Sequence, residues 1–295
     1  MVNTSTMQEQ PNSQVLLSAI QLSSCADVEI NLQSIAKQLS QLTEQQLASD
    51  SQNHQHIVVL PECCLLFGAK DSEQLNLAQK TADNQYLHQQ LAKLAKQFQV
   101  YLVAGTIPIL GSQNDKFTNS SCVFSPLGEQ LGRYDKIHLF DVEVTDNTQS
   151  YCESRYTQAG AINYSNISIV KTPLVNIGLT VCFDLRFPQL FQKLSQQGAN
   201  VITVPSAFTQ VTGEAHWQTL LQARAIENQV YIIAAGQEGT HENGRKTWGH
   251  SMIISPWGDI LTCLAQGEGF ISAVYDPAHL ADIRQRMPLK SPLSK

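Results

Sequence analysis

Cys122-Val-Phe-Ser-Pro-Leu-Gly-Glu-Gln-Leu131 and Met252-Ile-Ile-Ser-Pro-Trp-Gly-Asp-Ile-Leu261 are two versions of one local pattern. In each, a short apolar run meets Ser-Pro-x-Gly and a second short run follows. Proline early in the turn and glycine at its exit are what a β-hairpin requires. Recurrence at two separate places in the chain predicts two halves of related topology.

Around the first hairpin the order reads β-α-β-α-β. Val15–Ile20, Ile57–Leu60 and Tyr101–Ala104 are buried strands, while Val28, Leu32, Ile35, Leu39 and Leu42 form one helical stripe and Leu87, Leu91, Leu94 and Phe98 a second. Around the second hairpin the chain gives a strand at Asn176–Val181, a helix from Pro188 and a strand at Val201–Val204, then a helix through Ala215–Asn228 and a strand at Val230–Ala235. Two mixed sheets, each with helices for one face, pack most simply sheet against sheet with the helices outside. The expected fold class is therefore α/β, a four-layer α-β-β-α sandwich. A doubly wound single sheet accounts less well for the two hairpins. No Pro-, Gly- or Ser-rich linker divides the chain, so one domain is expected over 14–288, with a disordered polar tail at 1–13 and a short tail at 289–295. Segments 107–118 and 141–166 read as irregular loops of the kind that border active sites.

With 295 residues and 42% hydrophobic content, the chain can bury a full core. A net charge of −6 with no basic cluster argues against nucleic acid as a partner. No apolar stretch is long enough to span a bilayer, and the polar N-terminus does not read as a signal peptide, so no membrane association and a cytoplasmic protein are expected. Seven scattered cysteines without a CxxC pair suggest neither a disulfide framework nor a zinc ribbon. The eight histidines show no metal-ligand spacing, so no metal is expected.

The strand at Asn176–Val181 delivers Cys182 into a turn-and-helix segment, Phe183-Asp-Leu-Arg-Phe-Pro188, where helix N–H groups would stabilise a thiolate. Buried cysteine is also a common core residue, so position alone leaves both readings open. Glu62 follows the strand Ile57–Leu60 and precedes an apolar stretch, a setting that can tune a carboxylate for general-base work. Lys136, in Tyr134-Asp-Lys-Ile-His-Leu-Phe140, is a surface charge or, with company, a stabiliser of an oxyanion. A rival arrangement pairs Cys182 with His138, His216 or His250.

Leu60-Pro-Glu62, Tyr134–Phe140 and Leu179–Pro188 resemble, in order and surroundings, the Glu-Lys-Cys signatures of the nitrilase superfamily of carbon-nitrogen hydrolases. The resemblance continues through Pro205-Ser-Ala-Phe-Thr209, Arg224-Ala-Ile-Glu-Asn228, Trp248-Gly-His-Ser251 and Pro256-Trp-Gly258. It implies the α-β-β-α sandwich, with Cys182 as nucleophile, Glu62 as general base and Lys136 as stabiliser of the tetrahedral intermediate. It also implies a role for Glu153, an ordinary loop acid by sequence alone. Arg186, with Phe208 and Thr209 close by, is implied to meet an acidic group on the substrate. The Phe183 N–H is a candidate oxyanion donor on chemical grounds. A small-molecule amide bearing a carboxylate is the expected substrate, and the chemistry needs no cofactor. Ala234–His241 and Gly213–Trp217 are most similar to the branch of deaminated glutathione amidases, with ω-amidases on α-ketoglutaramate as the alternative and a catalytically silent interaction protein as the non-enzymatic one. A homodimer is implied, although the ending Met287–Lys295 departs from the longer basic tail of such proteins.

Overall fold

The computed structural model describes residues 14–47, 54–83, 85–143, 150–161, 167 and 169–289. The tail expected over 1–13 and residues 290–295 lie outside the described residues. The first half runs β1 (Gln14–Gln21), α1 (Val28–Leu47), β2 (His54–Val59), α2 (Ser72–Thr81), α3 (Tyr86–Phe98), β3 (Tyr101–Val103), β4 (Ile107–Leu110), β5 (Phe117–Phe124) and β6 (Gln130–Asp135). Two short strands, β7 (Asp141–Glu143) and β8 (Ser150–Cys152), lead into the second half. There follow β9 (Ile169–Lys171), β10 (Asn176–Leu179), α4 (Pro188–Gln196), β11 (Val201–Ser206), α5 (Gln210–Asn228) and β12 (Tyr231–Gly236). The chain ends with β13 (Glu238–Thr240), β14 (Lys246–Trp248), β15 (Ser251–Ile254), β16 (Ile260–Leu264), β17 (Gly269–Tyr275) and α6 (Pro277–Arg286).

One seven-stranded sheet has the order β17-β1-β2-β3-β5-β4 with β6 on β5, and one six-stranded sheet has the order β16-β15-β12-β11-β10-β9. Strands β1, β2 and β3 are parallel, as are β10, β11 and β12, and the remaining pairs are antiparallel. Alternation along β2 shows why both faces of the first sheet are covered. Ile57 and Val59 join the apolar cluster shared with the second sheet, whereas Val58 and Leu60 join the cluster under α1 and α3. That outer cluster takes Leu32, Ile35, Leu39 and Leu42 from α1 and Leu87, Leu91 and Leu94 from α3, the two stripes read from the sequence. On the far side, Leu190, Phe191 and Leu194 of α4 and Trp217, Leu221 and Ala225 of α5 cover the second sheet. The layers are helix, sheet, sheet, helix, as expected.

The two hairpins repeat down to the atom. Ser125 Oγ accepts from the Leu127 and Glu129 N–H groups, at 3.2 Å each, and Ser255 Oγ accepts from Trp257 and Asp259 at 3.2 and 3.1 Å. Gly128 and Gly258 adopt φ of +81° and +94°, the left-handed region in which a Cβ is costly. A register shift sits just before both turns.

Four corrections follow. Segment 107–118 is not a loop throughout, because Ile107–Leu110 pairs with β5; its proline sits on an edge strand, where the missing N–H costs the sheet little. Segment 141–166 likewise holds β7 and β8, and residues 144–149 and 162–166 lie outside the described residues. Helices α2 and α6 escaped the pattern because each buries few residues. The halves of related topology also share a pairing that the pattern does not display, since β17 leaves the second half to pair with β1 over its length.

Candidate active site

Two strand ends face each other across the sandwich. After β2, Leu60-Pro61 carries the chain into a turn in which Cys63 takes φ +56° and its N–H donates to Thr106 Oγ1 at 2.8 Å. That turn is tight against Gly105, where a Cβ would lie 2.0 Å from the Pro61 carbonyl oxygen. It aims Glu62 inward, 4% exposed. After β10, the chain reaches Cys182 with φ +49° at the head of a five-residue 3-10 turn, Cys182–Arg186. The buried Asp184 carboxylate pins this turn: it accepts from the Val181 N–H at 2.9 Å, the Tyr134 hydroxyl at 2.8 Å and the His138 N–H at 3.1 Å.

Lys136, 2% exposed, lies between two carboxylates. Its Nζ donates to Glu62 Oε1 at 2.8 Å and to both oxygens of Glu153 at 3.0 and 2.8 Å. Glu62 is fixed further by Asn119 Nδ2 at 3.0 Å on Oε1 and by the Ala207 N–H at 3.0 Å on Oε2. Glu153 also accepts from the Phe140 N–H at 2.7 Å. Burial acts to strip the proton from Lys136, but Glu153 and Glu62 outweigh it and hold the ammonium well above the ordinary lysine range. Burial raises Glu153, with Lys136 opposing.

Cys182 is buried against this cluster. Burial, then the Glu62 charge, push its thiol well above the ordinary range, and a hydrogen bond with Glu62 acts in the same direction; Lys136 and the Ala207 N–H oppose. A thiolate stabilised by a helix N-terminus is therefore not what the fold provides, because α4 begins only at Pro188. The sulfur has a carboxylate acceptor, Glu62, beside it. Such a set can transfer a proton from sulfur to Glu62, present an ammonium to a developing oxyanion, and return the proton to a leaving group.

Of the residues expected at the site, Glu62, Lys136, Glu153, Cys182, Phe183, Phe208 and Thr209 all line one cleft. Thr209 also serves as N-cap of α5, its Oγ1 2.8 Å from that of Thr212. Arg186 is not in the lining. It lies over the rings of Phe183 and Phe208, with the guanidinium 5.8 and 5.6 Å from their centroids, beside His216 Nδ1. The three histidines of the rival pairing are engaged elsewhere. His138 Nδ1 meets Asp184 at 2.7 Å and its ring stacks on Phe187, and His250 stacks on Trp248. No group of three or more His, Cys, Asp or Glu able to hold a metal occurs among the described residues. No helix among them is long and apolar enough to cross a membrane.

Several contributors were not read from the sequence. Asn119 belongs to a strand that is buried along its whole length, and Thr118-Asn-Ser-Ser121 is a polar run where apolar residues are usual. That mismatch was the available signal. Asp184 lay inside a quoted motif without a role, and the Ala207 N–H has no sequence signature. Arg245, which lines the cleft from the β13–β14 turn, was not singled out either.

A carbon-nitrogen hydrolase family profile matches residues 16–285. A deaminated glutathione amidase of Synechocystis is 40% identical over 274 residues, 92% of this chain and 96% of that one. The Yersinia enterocolitica protein of the same name is 39% identical over 271 residues, 92% and 90% of the two chains. The crystal structure of Saccharomyces cerevisiae Nit3, a member of the nitrilase superfamily, aligns with a TM-score of 0.82 at 28% identity, covering 96% of this chain and 97% of that one. Taken with a fold of the same layers and one buried constellation of Glu, Lys and Cys, these matches establish that the chain belongs to the carbon-nitrogen hydrolase family.

Proposed function

We propose that this hydrolase is a cofactor-independent amidase that cleaves deaminated glutathione through a thioester on Cys182. The carrying observation is the placement of one ammonium, Lys136 Nζ, within 3.0 Å of two carboxylates beside a buried thiol. The names of the relatives support the choice of substrate.

The first step moves the thiol proton of Cys182 to Glu62 as sulfur attacks the amide carbon. The carbonyl oxygen takes up the electron pair and becomes an oxyanion against Lys136 Nζ and the Phe183 N–H. Glu62 then gives its proton to the amide nitrogen, the C–N bond breaks, and the amine leaves with the acyl group on sulfur. Water enters, passes a proton to Glu62 and attacks the thioester. The C–S bond breaks, the acid departs, and the proton on Glu62 returns to the sulfur. Glu153 holds Lys136 in place and compensates its charge. No step requires a metal or an organic cofactor.

The substrate is the 2-oxo analogue of glutathione, in which a 2-oxo dicarboxylate acyl group is joined by an amide to the Cys-Gly dipeptide. Purified protein offered deaminated glutathione and α-ketoglutaramate side by side tests this, and faster turnover of deaminated glutathione is expected. Faster turnover of α-ketoglutaramate makes the chain an ω-amidase, and turnover of neither, together with uniformly sluggish iodoacetamide labelling of its thiols, makes it a silent interaction protein. The assembly is read as a homodimer, with the exposed Ile226 beside the Trp257–Gly258 turn as an apolar contact surface. Sedimentation at micromolar concentration checks it. The compartment is read as the cytoplasm.

A further inference from the structure

Cleavage of an amide divides its substrate into an acyl half, which stays on Cys182, and an amine half, which leaves. The lining of the cleft includes a cation with no part in the reaction, Arg245. Arg245 sits in the turn between β13 and β14. The Arg245 N–H donates to Asn243 Oδ1 at 3.0 Å, and the Asn243 side chain in turn donates to the Ala69 carbonyl at 3.0 Å. The turn is thus fastened to the segment that follows Glu62. His241, at its base, meets the Ser24 carbonyl at 3.0 Å and Thr247 Oγ1 at 2.7 Å, and packs edge-on against Phe67 at 4.4 Å.

The Arg245 guanidinium lies 4.8 Å from the Tyr151 ring centroid and 5.5 Å from that of Phe67, so two faces hold its plane. Its only ion pair among the described residues is a 3.9 Å contact to Asp71, whose side chain is 64% exposed. A planar fork held by rings, with so loose a counterion, is suited to accept a carboxylate from a ligand.

Direction follows from the rings. Tyr151 packs on Phe140 at 5.1 Å and Phe140 on Phe183 at 5.2 Å, and Arg186 lies over Phe183. Two guanidinium groups therefore stand at opposite ends of one aromatic row whose middle ring belongs to the residue that anchors Glu153. Arg186 is on the turn of Cys182, the side on which the acyl group remains. Arg245 is over Phe67, on the segment of Glu62, from which the leaving nitrogen must take its proton. We infer that Arg245 binds the terminal carboxylate of the departing dipeptide, with Lys70 and Asn243 at the edge of the same subsite, and so selects amides with an acidic amine half over primary amides.

This rests on the reading of the substrate given above, and the experiment separates the two. The probes are deaminated glutathione and its C-terminal glycinamide analogue, which share the acyl half and the scissile bond, with α-ketoglutaramate as the third. The unaltered enzyme is expected to favour the free acid over the glycinamide by about tenfold or more in kcat/KM, chiefly through KM. Arg245→Gln is expected to bring that ratio to within about twofold of unity, and Arg245→Lys to restore part of it. Any loss of folded protein cancels in a ratio measured within one variant. If Arg245→Gln keeps the preference, or the unaltered enzyme has none, the subsite is wrong while the substrate reading stands. If α-ketoglutaramate is the fastest of the three, the substrate reading itself falls.

Discussion

The turns after β2 and β10 solve one problem in two ways. Each follows a strand with a parallel neighbour, β2 inside the first sheet and β10 one place from the edge of the second, and each contains a cysteine in the left-handed region, Cys63 at φ +56° and Cys182 at φ +49°. In the first turn the strained residue is a hinge, and the working group is its predecessor, Glu62. In the second turn the strained residue is itself the working group. Left-handed backbone at a non-glycine residue costs on the order of 1–2 kcal/mol, so both turns store strain that the surrounding contacts must hold. The contacts differ accordingly. The first turn is held by one neutral hydroxyl, Thr106 Oγ1, which accepts from the Cys63 N–H, and by the close approach of Gly105. The second is held by a buried carboxylate, Asp184, with three N–H and O–H donors. A base can be aimed by the chain on either side of it, whereas a nucleophile that is itself strained needs an anchor just beyond.

The sharpest way to break the comparison is to remove each working group. Cys182→Ala is expected to lower turnover by about four orders of magnitude or more with the fold intact, and amidase activity retained in a clean preparation would refute the nucleophile. Glu62→Gln keeps the shape but not the proton acceptor. A loss of about a thousandfold in kcat is expected in steady-state turnover. Gly105→Ala attacks the first turn alone. Its Cβ meets the Pro61 oxygen, and a loss of about 2 kcal/mol or more in chemical denaturation is expected. Glycine at the strained positions separates strain from function. Cys63→Gly and Cys182→Gly should each be about 1 kcal/mol more stable than the matching alanine variant, and equal midpoints would show that the turns are not strained.

The smallest effect is on pH. Burial holds the imidazoles of His88 and His241 below their ordinary value. Their folded pKa values are depressed, so the stability they allow is present above about 6.5 and is lost as pH falls below it. A melting temperature that is flat from there to about pH 8 and declines below about 6.5 is expected, and His241→Gln should flatten that acid decline in part.

Much of this was legible because the informative residues sit where strands end. Glu62 and Cys182 follow apolar runs that announce their strands, and Lys136 follows a hairpin that announces itself by its turn residues. What stayed hidden depends on segments distant in sequence. Asn119 matters through its contact with Glu62, 57 residues away. The Ala207 N–H reaches Glu62 across 145 residues. Arg245 gains its meaning from Tyr151 and Phe67, neither of which is near it in the chain. The setting of Cys182 differs from the expected helix start for a related reason: the sequence displays the coming helix but not the five-residue turn that holds the helix away from the sulfur.

The pairing of β1 with β17 bears on how the molecule is made. Val15 lies opposite Tyr275, and Ser18 meets Ser272 through a 2.7 Å hydroxyl contact. A ribosome therefore releases the sheet that carries Glu62 with one margin uncovered, and that margin waits until β17, whose Ser272 lies 254 residues beyond Ser18, has emerged. Nascent chains halted before Gly269 would present the β1 edge to one another, and the enzyme's vulnerability to aggregation during expression should concentrate in that interval.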